Sequence, residues 1–219
     1  MALSHSFSAL KLYENCPLRY YEQRIKRSVV DKGGEASQYG ERIHEALDQR
    51  LKGGAELPSE AAAHDDLVVA VQKMAARGQL LTEQKLTLNI DLQPTEWFAP
   101  DAWMRSILDI LVLHDTHAFV LDWKTGKRRP DFTQLELFAL QVFAHYPQIQ
   151  SVSSGFIWLK DNAMDKETYT RADAPKLWAA LLERIHRIEQ SVEHDNWPAK
   201  PSGLCRFCPA RHDCDSARV

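Results

Sequence analysis

The spacing of hydrophobic residues changes along the chain, and each change marks a different kind of predicted element. Apolar residues recur at helical spacing over residues 37–51 and again over 65–77. Glycines follow both stretches, at Gly53 and Gly78, and glycine commonly ends a helix because it tolerates a left-handed backbone. We therefore predict two helices in the first third of the chain.

Strand-like patterns begin directly after the second of these helices. Residues 81–90 alternate between apolar and polar side chains, and short apolar runs follow at 106–113 and 118–123. These three segments predict a sheet. The remaining predicted elements are a helix over 134–146, a strand over 152–159, a strand around Tyr169 and a helix over 175–194.

Near the N-terminus, two short helices are predicted on either side of Cys16. Ser6 or Ser8 is suited to cap the first helix, and Pro17 is suited to open the second. The full order of elements predicts an α/β fold, with a central mixed sheet flanked by helices and an added helical N-terminal region. At 219 residues the chain is expected to form one domain over 1–219, closed by a cysteine-containing tail.

Composition narrows the functional classes. With 26% charged residues and a net charge of −3, the chain lacks the overall basic character of proteins that grip nucleic acid non-specifically. No apolar run approaches about 18 residues, and no signal peptide is evident, so a cytoplasmic protein without a membrane span is expected.

Positive charge is nevertheless concentrated locally. Lys124, Lys127, Arg128 and Arg129 fall within six residues. A second basic group, on the predicted N-terminal helix, fits a solvated surface as well as a phosphate contact. We take Lys127, Arg128 and Arg129 as candidate DNA contacts because they follow an acidic motif directly.

That motif contains carboxylates in unusual positions. Asp109 interrupts an otherwise apolar strand, where an isolated carboxylate needs a compensating partner. Eleven residues lie between Asp109 and Leu121, a spacing that fits two neighbouring strands. Asp122 and Lys124 are two positions apart, so their side chains are expected on one face.

Carboxylates and a lysine in this arrangement suit metal-assisted hydrolysis of a phosphodiester. Asp109 and Asp122 can offer oxygen ligands to Mg²⁺, and Lys124 can stabilise developing negative charge. His44 would favour Mn²⁺ because imidazole suits a softer ion. Taken singly, His44 is more often a surface or core histidine, and an Asp-x-Lys triplet is often a surface ion pair.

The four cysteines predict a second, softer metal site. Cys205, Cys208 and Cys214 form a C-x2-C-x5-C motif, and Cys16 lies almost the whole chain away. In a reducing compartment such a set indicates metal binding rather than disulfides. Spacing alone leaves a four-thiolate zinc ion and an iron-sulfur cluster both open.

Taken together, these motifs resemble the PD-(D/E)XK nuclease superfamily, whose core is restriction-endonuclease-like. More narrowly they resemble RecB-like exonucleases and the CRISPR-associated and phage nucleases that carry an iron-sulfur cluster. The resemblance runs from about residue 6 to residue 214. It rests on the segments Ser8–Tyr21, Gly40-x3-His44, Ile107-Leu-Asp109, Asp122-Trp-Lys124-Thr-Gly126 and Gln134-Leu-x2-Phe138-Ala.

The resemblance implies a role for each matching residue. His44, Asp109, Asp122 and the backbone carbonyl of Trp123 would bind the catalytic Mg²⁺ or Mn²⁺, and Lys124 would be the catalytic lysine. Gln134 would lie on a helix beside the active site. Phe138 stands where relatives have tyrosine, and Glu83 is a weaker match to an acidic residue on the preceding strand. The cluster implied for Cys16, Cys205, Cys208 and Cys214 is [4Fe-4S].

The leading hypothesis is therefore a divalent-metal-dependent DNA exonuclease acting on single-stranded ends. Its expected partners are DNA and proteins of recombination, repair, CRISPR or phage replication. The alternatives are a nucleic-acid-binding module that does not cut, and a purely structural zinc protein. Three aromatic residues are candidates for stacking on single-stranded bases: Tyr20, Tyr21 and Trp97.

Overall fold

The computed structural model describes residues 3–54 and 56–218, which divide into two compact units. The first contains residues 3–4 and 34–178, and the second contains residues 5–33 and 179–218. We describe each unit separately, and the single domain over 1–219 stays a prediction.

A five-stranded sheet forms the centre of the first unit. Its strands are β1 (Gln79–Leu88), β2 (Met104–His114), β3 (His117–Lys124), β4 (Ser151–Trp158) and β5 (Ala163–Thr170). They lie in sequence order, and every neighbouring pair is antiparallel except the parallel pair β3 and β4. The predicted α/β fold with a mixed sheet is confirmed, and Tyr169 lies in the last strand.

Helices cover both faces of this sheet. The helix α5 (Phe132–His145) packs on one face, where Leu108 and Val120 join its own Leu135 and Phe138 in one buried cluster. Burying each such side chain contributes roughly 1.5–3 kcal/mol. Asp131 caps α5 by accepting a hydrogen bond from the amide of Thr133.

The opposite face carries two helices, α3 (Glu35–Leu51) and α4 (Asp65–Ala75). Ile43 and Leu47 of α3 are fully buried in a cluster with Ile110 and Trp123 of the sheet. This packing fixes the face of α3 that looks onto the strands, and His44 follows Ile43 directly. The predicted helices are confirmed to within a few residues at their ends.

The second unit is mostly helical. It contains α1 (Phe7–Asn15), capped by Ser6 as predicted, and α2 (Pro17–Tyr20), which continues as one π-helical turn over Tyr21–Ile25. The helix α6 (Ala174–Glu193) begins in the first unit and ends in the second. Short 3-10 turns follow over Cys205–Phe207, Arg211–Asp213 and Asp215–Arg218.

Side chains of α1 are held by the C-terminal part of α6. The hydroxyl of Tyr13 lies 2.7 Å from Oγ of Ser191, and Arg184 donates two hydrogen bonds to the carboxylate of Glu14. Cys16 is both the C-cap of α1 and the N-cap of α2, so the predicted helix junction is confirmed.

Within residues 3–54 and 56–218, no helix is long and apolar enough to cross a membrane.

Candidate active site

Two strands of the sheet part where their acidic residues would otherwise pair. The ladder between β2 and β3 begins at Ile110 opposite Leu121, and the next pair in register would be Asp109 and Asp122. Instead, Oδ2 of Asp109 accepts a hydrogen bond of 2.9 Å from the backbone amide of Trp123. The Asp109 carboxylate is thus fixed between the two strands.

The ladder between β1 and β2 is interrupted at the same level. Thr82 pairs with Ile110 and Gln84 pairs with Leu108, but Glu83 and Asp109 between them form no ladder pair. Glu83 has φ of 48°, a left-handed conformation that costs a non-glycine residue about 1 kcal/mol or more. Such local strain is common at functional sites.

This interruption changes which face of the sheet each side chain occupies. Leu108 packs against α5, whereas Ile110, two positions later, belongs to the cluster with α3. Asp109 lies at the point of reversal and is half-buried. The pKa of Glu83 is raised, first by partial loss of solvent and then by the negative charges of Asp109 and Asp48.

His44 reaches this point from α3. Its Nδ1 lies 3.2 Å from Oδ2 of Asp109. Burial alone would lower the pKa of His44, but the hydrogen bond and charge of Asp109, with the charge of Asp122, outweigh it and raise that pKa. Gly40 lies one turn earlier, where an added Cβ would come within 3.0 Å of Oγ1 of Thr125. The absence of a side chain there permits the close approach of α3 to the end of β3.

Asp122 and Lys124 lie on the same face of β3, as predicted. Nζ of Lys124 lies 2.6 Å from Oδ2 of Asp122, which is only 5% exposed. Burial, and then the negative charge of Asp109, raise the pKa of Asp122 above its usual range, although Lys124 opposes the shift. A buried carboxylate of this kind needs its cationic neighbour.

Gln134, from the first turn of α5, joins these two side chains. Its Nε2 donates to Oδ1 of Asp122 at 3.0 Å, and its Oε1 accepts from Nζ of Lys124 at 3.1 Å. We call His44, Asp109, Asp122, Lys124 and Gln134 the acid–lysine network. Phe138, one turn later, is buried in the core beneath the sheet.

The sequence patterns missed one neighbour of the network. Phe156 on β4 is paired in register with Asp122, and Nζ of Lys124 lies 5.0 Å from the centre of its ring. This contact keeps water from one side of the ammonium group. A phenylalanine in an apolar strand carries no sequence signal that would distinguish it from other core residues.

The donor atoms suit a divalent cation, although in the part of the chain that the structure describes no three His, Cys, Asp or Glu residues are arranged as a metal-holding group. Oxygens of Asp109 and Asp122 are engaged by internal partners, namely His44, Trp123, Gln134 and Lys124. Oδ2 of Asp122 is buried and accepts no hydrogen bond of good geometry, although it forms the ion pair with Lys124.

In the second unit, all four cysteines line one pocket, together with apolar side chains that include Leu18 and Ala210. Backbone amides donate to two of the sulfurs, from Lys200 to Cys16 at 3.4 Å and from Ser202 to Cys205 at 3.3 Å. Amide hydrogen bonds to sulfur are typical of thiolates that bind metal. The predicted cysteines are therefore brought together, though not as a group that would hold a single ion.

The predicted DNA contacts divide into three cases. Tyr20 is fully buried, with its ring packed on Trp197 and edge-on to Tyr13, so its predicted base stacking is wrong. Arg128 is exposed but is bound by two hydrogen bonds to Asp165. Lys127 and Arg129 are exposed.

The chain is similar to known proteins in sequence and in fold. The chain is 25% identical over 114 residues to the Gene 69 protein of Mycobacterium phage D29; the match covers 51% of this chain and spans only 42% of that protein's length. Its fold is similar to that of a candidate exonuclease from Eubacterium rectale, with a TM-score of 0.57 at 12% identity over 97% of this chain and 88% of that one.

One protein family matches nearly the full length of the sequence. The PD-(D/E)XK nuclease superfamily matches residues 4–215, a range that contains the entire acid–lysine network and all four cysteines. The chain therefore belongs to the PD-(D/E)XK nuclease superfamily.

Proposed function

We propose that this nuclease is a divalent-metal-dependent DNA exonuclease that hydrolyses phosphodiester bonds at single-stranded ends. The observation that carries the proposal is the acid–lysine network, in which Gln134 joins Lys124 to a buried carboxylate at the opening of the sheet. The fold is similar to that of the candidate exonuclease from Eubacterium rectale, which supports exonuclease activity, and the similarity to a Mycobacterium phage protein supports a phage setting.

The carboxylates of Asp109 and Asp122, the imidazole of His44 and the backbone carbonyl of Trp123 would hold Mg²⁺ or Mn²⁺. When bound, the cation supplies Lewis acidity to the scissile phosphate and lowers the pKa of a coordinated water. Asp109 is already held by Trp123 and His44, so the protein fixes its orientation before substrate arrives.

Lys124 stabilises the negative charge that develops on the phosphate during attack. Its ammonium is held by Gln134 on one side and by the ring of Phe156 on another, which limits its rotation. A preorganised donor of this kind contributes about 10²–10³ in rate. Gln134 also donates to Asp122, so one side chain orients both the acid and the lysine.

We assign a [4Fe-4S] cluster to Cys16, Cys205, Cys208 and Cys214. A single zinc ion would need the four sulfurs about 3.8 Å apart, because each Zn–S bond is about 2.3 Å in a tetrahedron. What supports metal binding is that the four cysteines line a common pocket and that backbone amides donate to the sulfurs of Cys16 and Cys205. Equal amounts of iron and acid-labile sulfide in anaerobically purified protein are expected; stoichiometric zinc without iron would contradict the assignment.

Cleavage of linear and circular single-stranded DNA tests the proposed activity. Protein purified without oxygen would be incubated with each end-labelled or circular substrate and Mn²⁺ or Mg²⁺. We expect the wild type to degrade only linear DNA, and Asp109→Ala to degrade neither. Cleavage of circles would identify an endonuclease instead. Binding without any cleavage by the wild type would identify a nucleic-acid-binding module.

A further inference from the structure

A tryptophan flanked by two cations lies on the loop that connects β1 to β2. Nζ of Lys85 lies 5.5 Å from the centre of the Trp97 ring, and Cζ of Arg105 lies 5.6 Å from it. Trp97 is partly exposed, and Phe98 beside it is 87% exposed. An exposed aromatic pair next to positive charge is the usual composition of a site for single-stranded nucleic acid.

Both cations project from the face of the sheet on which Asp109 meets His44. In β1, Leu86 packs toward α5, so its neighbour Lys85 faces the other way. In β2, Leu108 likewise packs toward α5, and Ile107 and Arg105 alternate with the buried residues. Lys85 is directly opposite Ile107 in the ladder.

This face leads from the cations to the acid–lysine network. Arg105 precedes Asp109 by four residues on one strand, a separation of about 13 Å at about 3.3 Å per residue. Ile107 lies between them and is 40% exposed. Asp109 and Arg105 are therefore close enough for one bound single-stranded DNA to contact both.

The positive charges beside Trp97 are not neutralised by ion pairs among the described residues. In the portion of the chain that the structure describes, Lys85 and Arg105 form neither a salt bridge nor a side-chain hydrogen bond, and Nε of Arg105 is buried without a partner. Glu96 lines the same groove as Lys85 and Trp97, at the edge of β1, and His145 and Tyr146 at the end of α5 also line it. The three charged side chains together leave one net positive charge beside the aromatic rings.

We propose that Trp97, Lys85 and Arg105 form a subsite for single-stranded DNA that holds the substrate strand beyond the scissile end. The inference rests on the proposed nuclease function, which supplies the substrate. A base stacks on Trp97 or Phe98, and the two cations contact the adjoining phosphates. This subsite increases the affinity for single-stranded DNA, and the bond is cleaved at Asp109 and Asp122.

Binding of a fluorescein-labelled oligothymidylate tests the subsite apart from cleavage. The titrations would use protein carrying Lys124→Ala, with Trp97→Ala, Trp97→Phe or Lys85→Ala added. Lys166→Ala is the matched control, since it removes an exposed lysine from the strand at the opposite edge of the sheet. Hydrolysis of a small p-nitrophenyl phosphodiester by otherwise wild-type protein reports the chemistry alone.

Replacing the aromatic side chain and replacing the cationic one should affect DNA binding in different ways. Trp97→Ala should weaken binding about tenfold, because a base loses its stacking surface, and Trp97→Phe should restore most of the affinity. Lys85→Ala should reduce the slope of log affinity against log salt concentration by about 0.7, the value for one phosphate contact on a single strand. Hydrolysis of the small ester should be unchanged in all of these variants.

Two results would overturn the proposal. If Trp97→Ala and Lys85→Ala bind the oligonucleotide as tightly as Lys166→Ala, with the same salt dependence, the subsite does not exist. If Trp97→Ala loses ester hydrolysis in proportion to oligonucleotide binding, Trp97 stabilises the fold and does not bind DNA. An inactive wild type would instead contradict the proposed nuclease function, whatever the binding data show.

Discussion

Nζ of Lys124 lies 2.6 Å from Oδ2 of Asp122, two positions earlier on the same strand. Alternation along a strand puts the two side chains on one face. Because Asp122 is buried, loss of Lys124 would leave its charge without a partner, which costs more than the same loss at the surface. Gln134 closes the arrangement by bonding to both partners. The predictions that follow depend on this shared geometry.

Replacing Gln134 should impair turnover more than substrate binding. Gln134→Ala removes the hydrogen bond that orients Lys124, and we expect kcat to fall about 10–100-fold with a small change in KM. Gln38→Ala on an exposed part of α3 is the matched control. A KM effect as large as the kcat effect would show that Gln134 holds DNA instead of the lysine.

Gly40→Ala should separate stability from activity. Alanine favours the helix by about 1 kcal/mol, but its Cβ would meet Oγ1 of Thr125 at 3.0 Å, directly after Lys124. We expect unfolding free energy to change by less than about 1 kcal/mol while cleavage falls several-fold. Adding Thr125→Ala should restore cleavage, and Gly34→Ala, which meets nothing within 4 Å, should leave it unchanged. Equal cleavage by Gly40→Ala and wild type would contradict the close-approach argument.

Cys16→Ser should release the cluster and destabilise the second unit. The cysteine is separated from the other three by almost the whole chain, so the proposed cluster would close a very long loop. We expect iron content to fall sharply and the thermal midpoint to drop by several degrees. Ser216→Ala, which alters the lining of the same pocket, should change neither. Unchanged iron in Cys16→Ser would remove this residue from the ligand set.

His5 should make stability depend on pH between 7 and 5. Burial, assisted by the charge of Arg24, lowers the pKa of His5 to about 4 from its usual 6.5. The unfolded chain therefore binds more protons in this range, so stability is present above pH 6.5 and is lost as the pH falls towards 4. The expected loss between pH 7 and pH 5 is about 2 kcal/mol.

Urea unfolding at both pH values measures this effect. His5→Gln cannot titrate, so its loss of stability on acidification should be smaller than that of the wild type by about the same amount. Parallel losses in the two proteins would mean that His5 does not become charged on unfolding in this range.

Much of the site followed from local patterns. Asp122 and Lys124 are related by strand alternation, and Asp109 stood out because a carboxylate in an apolar strand needs a partner. Gln134 and His44 were placed by family resemblance, and the structure puts both within hydrogen-bonding distance of an acidic residue.

Other features depend on long-range packing that local patterns do not encode. The left-handed Glu83 and the reversal of faces at Asp109 interrupt an alternation that otherwise predicts a regular strand. Phe156 becomes a neighbour of Lys124 only through the pairing of β3 with β4. Tyr20 was a candidate for stacking on single-stranded bases, but aromatic packing against Trp197 buries it.

The most direct test of the acid–lysine network is single-turnover cleavage of end-labelled single-stranded DNA by Asp122→Asn. Asparagine keeps the shape of the side chain and removes the charge that pairs with Lys124 and would bind the cation. We predict a loss of cleavage of more than about 10³-fold with oligothymidylate binding kept within about threefold of wild type. Cleavage by Asp122→Asn at the wild-type rate would contradict the assignment of this network as the active site.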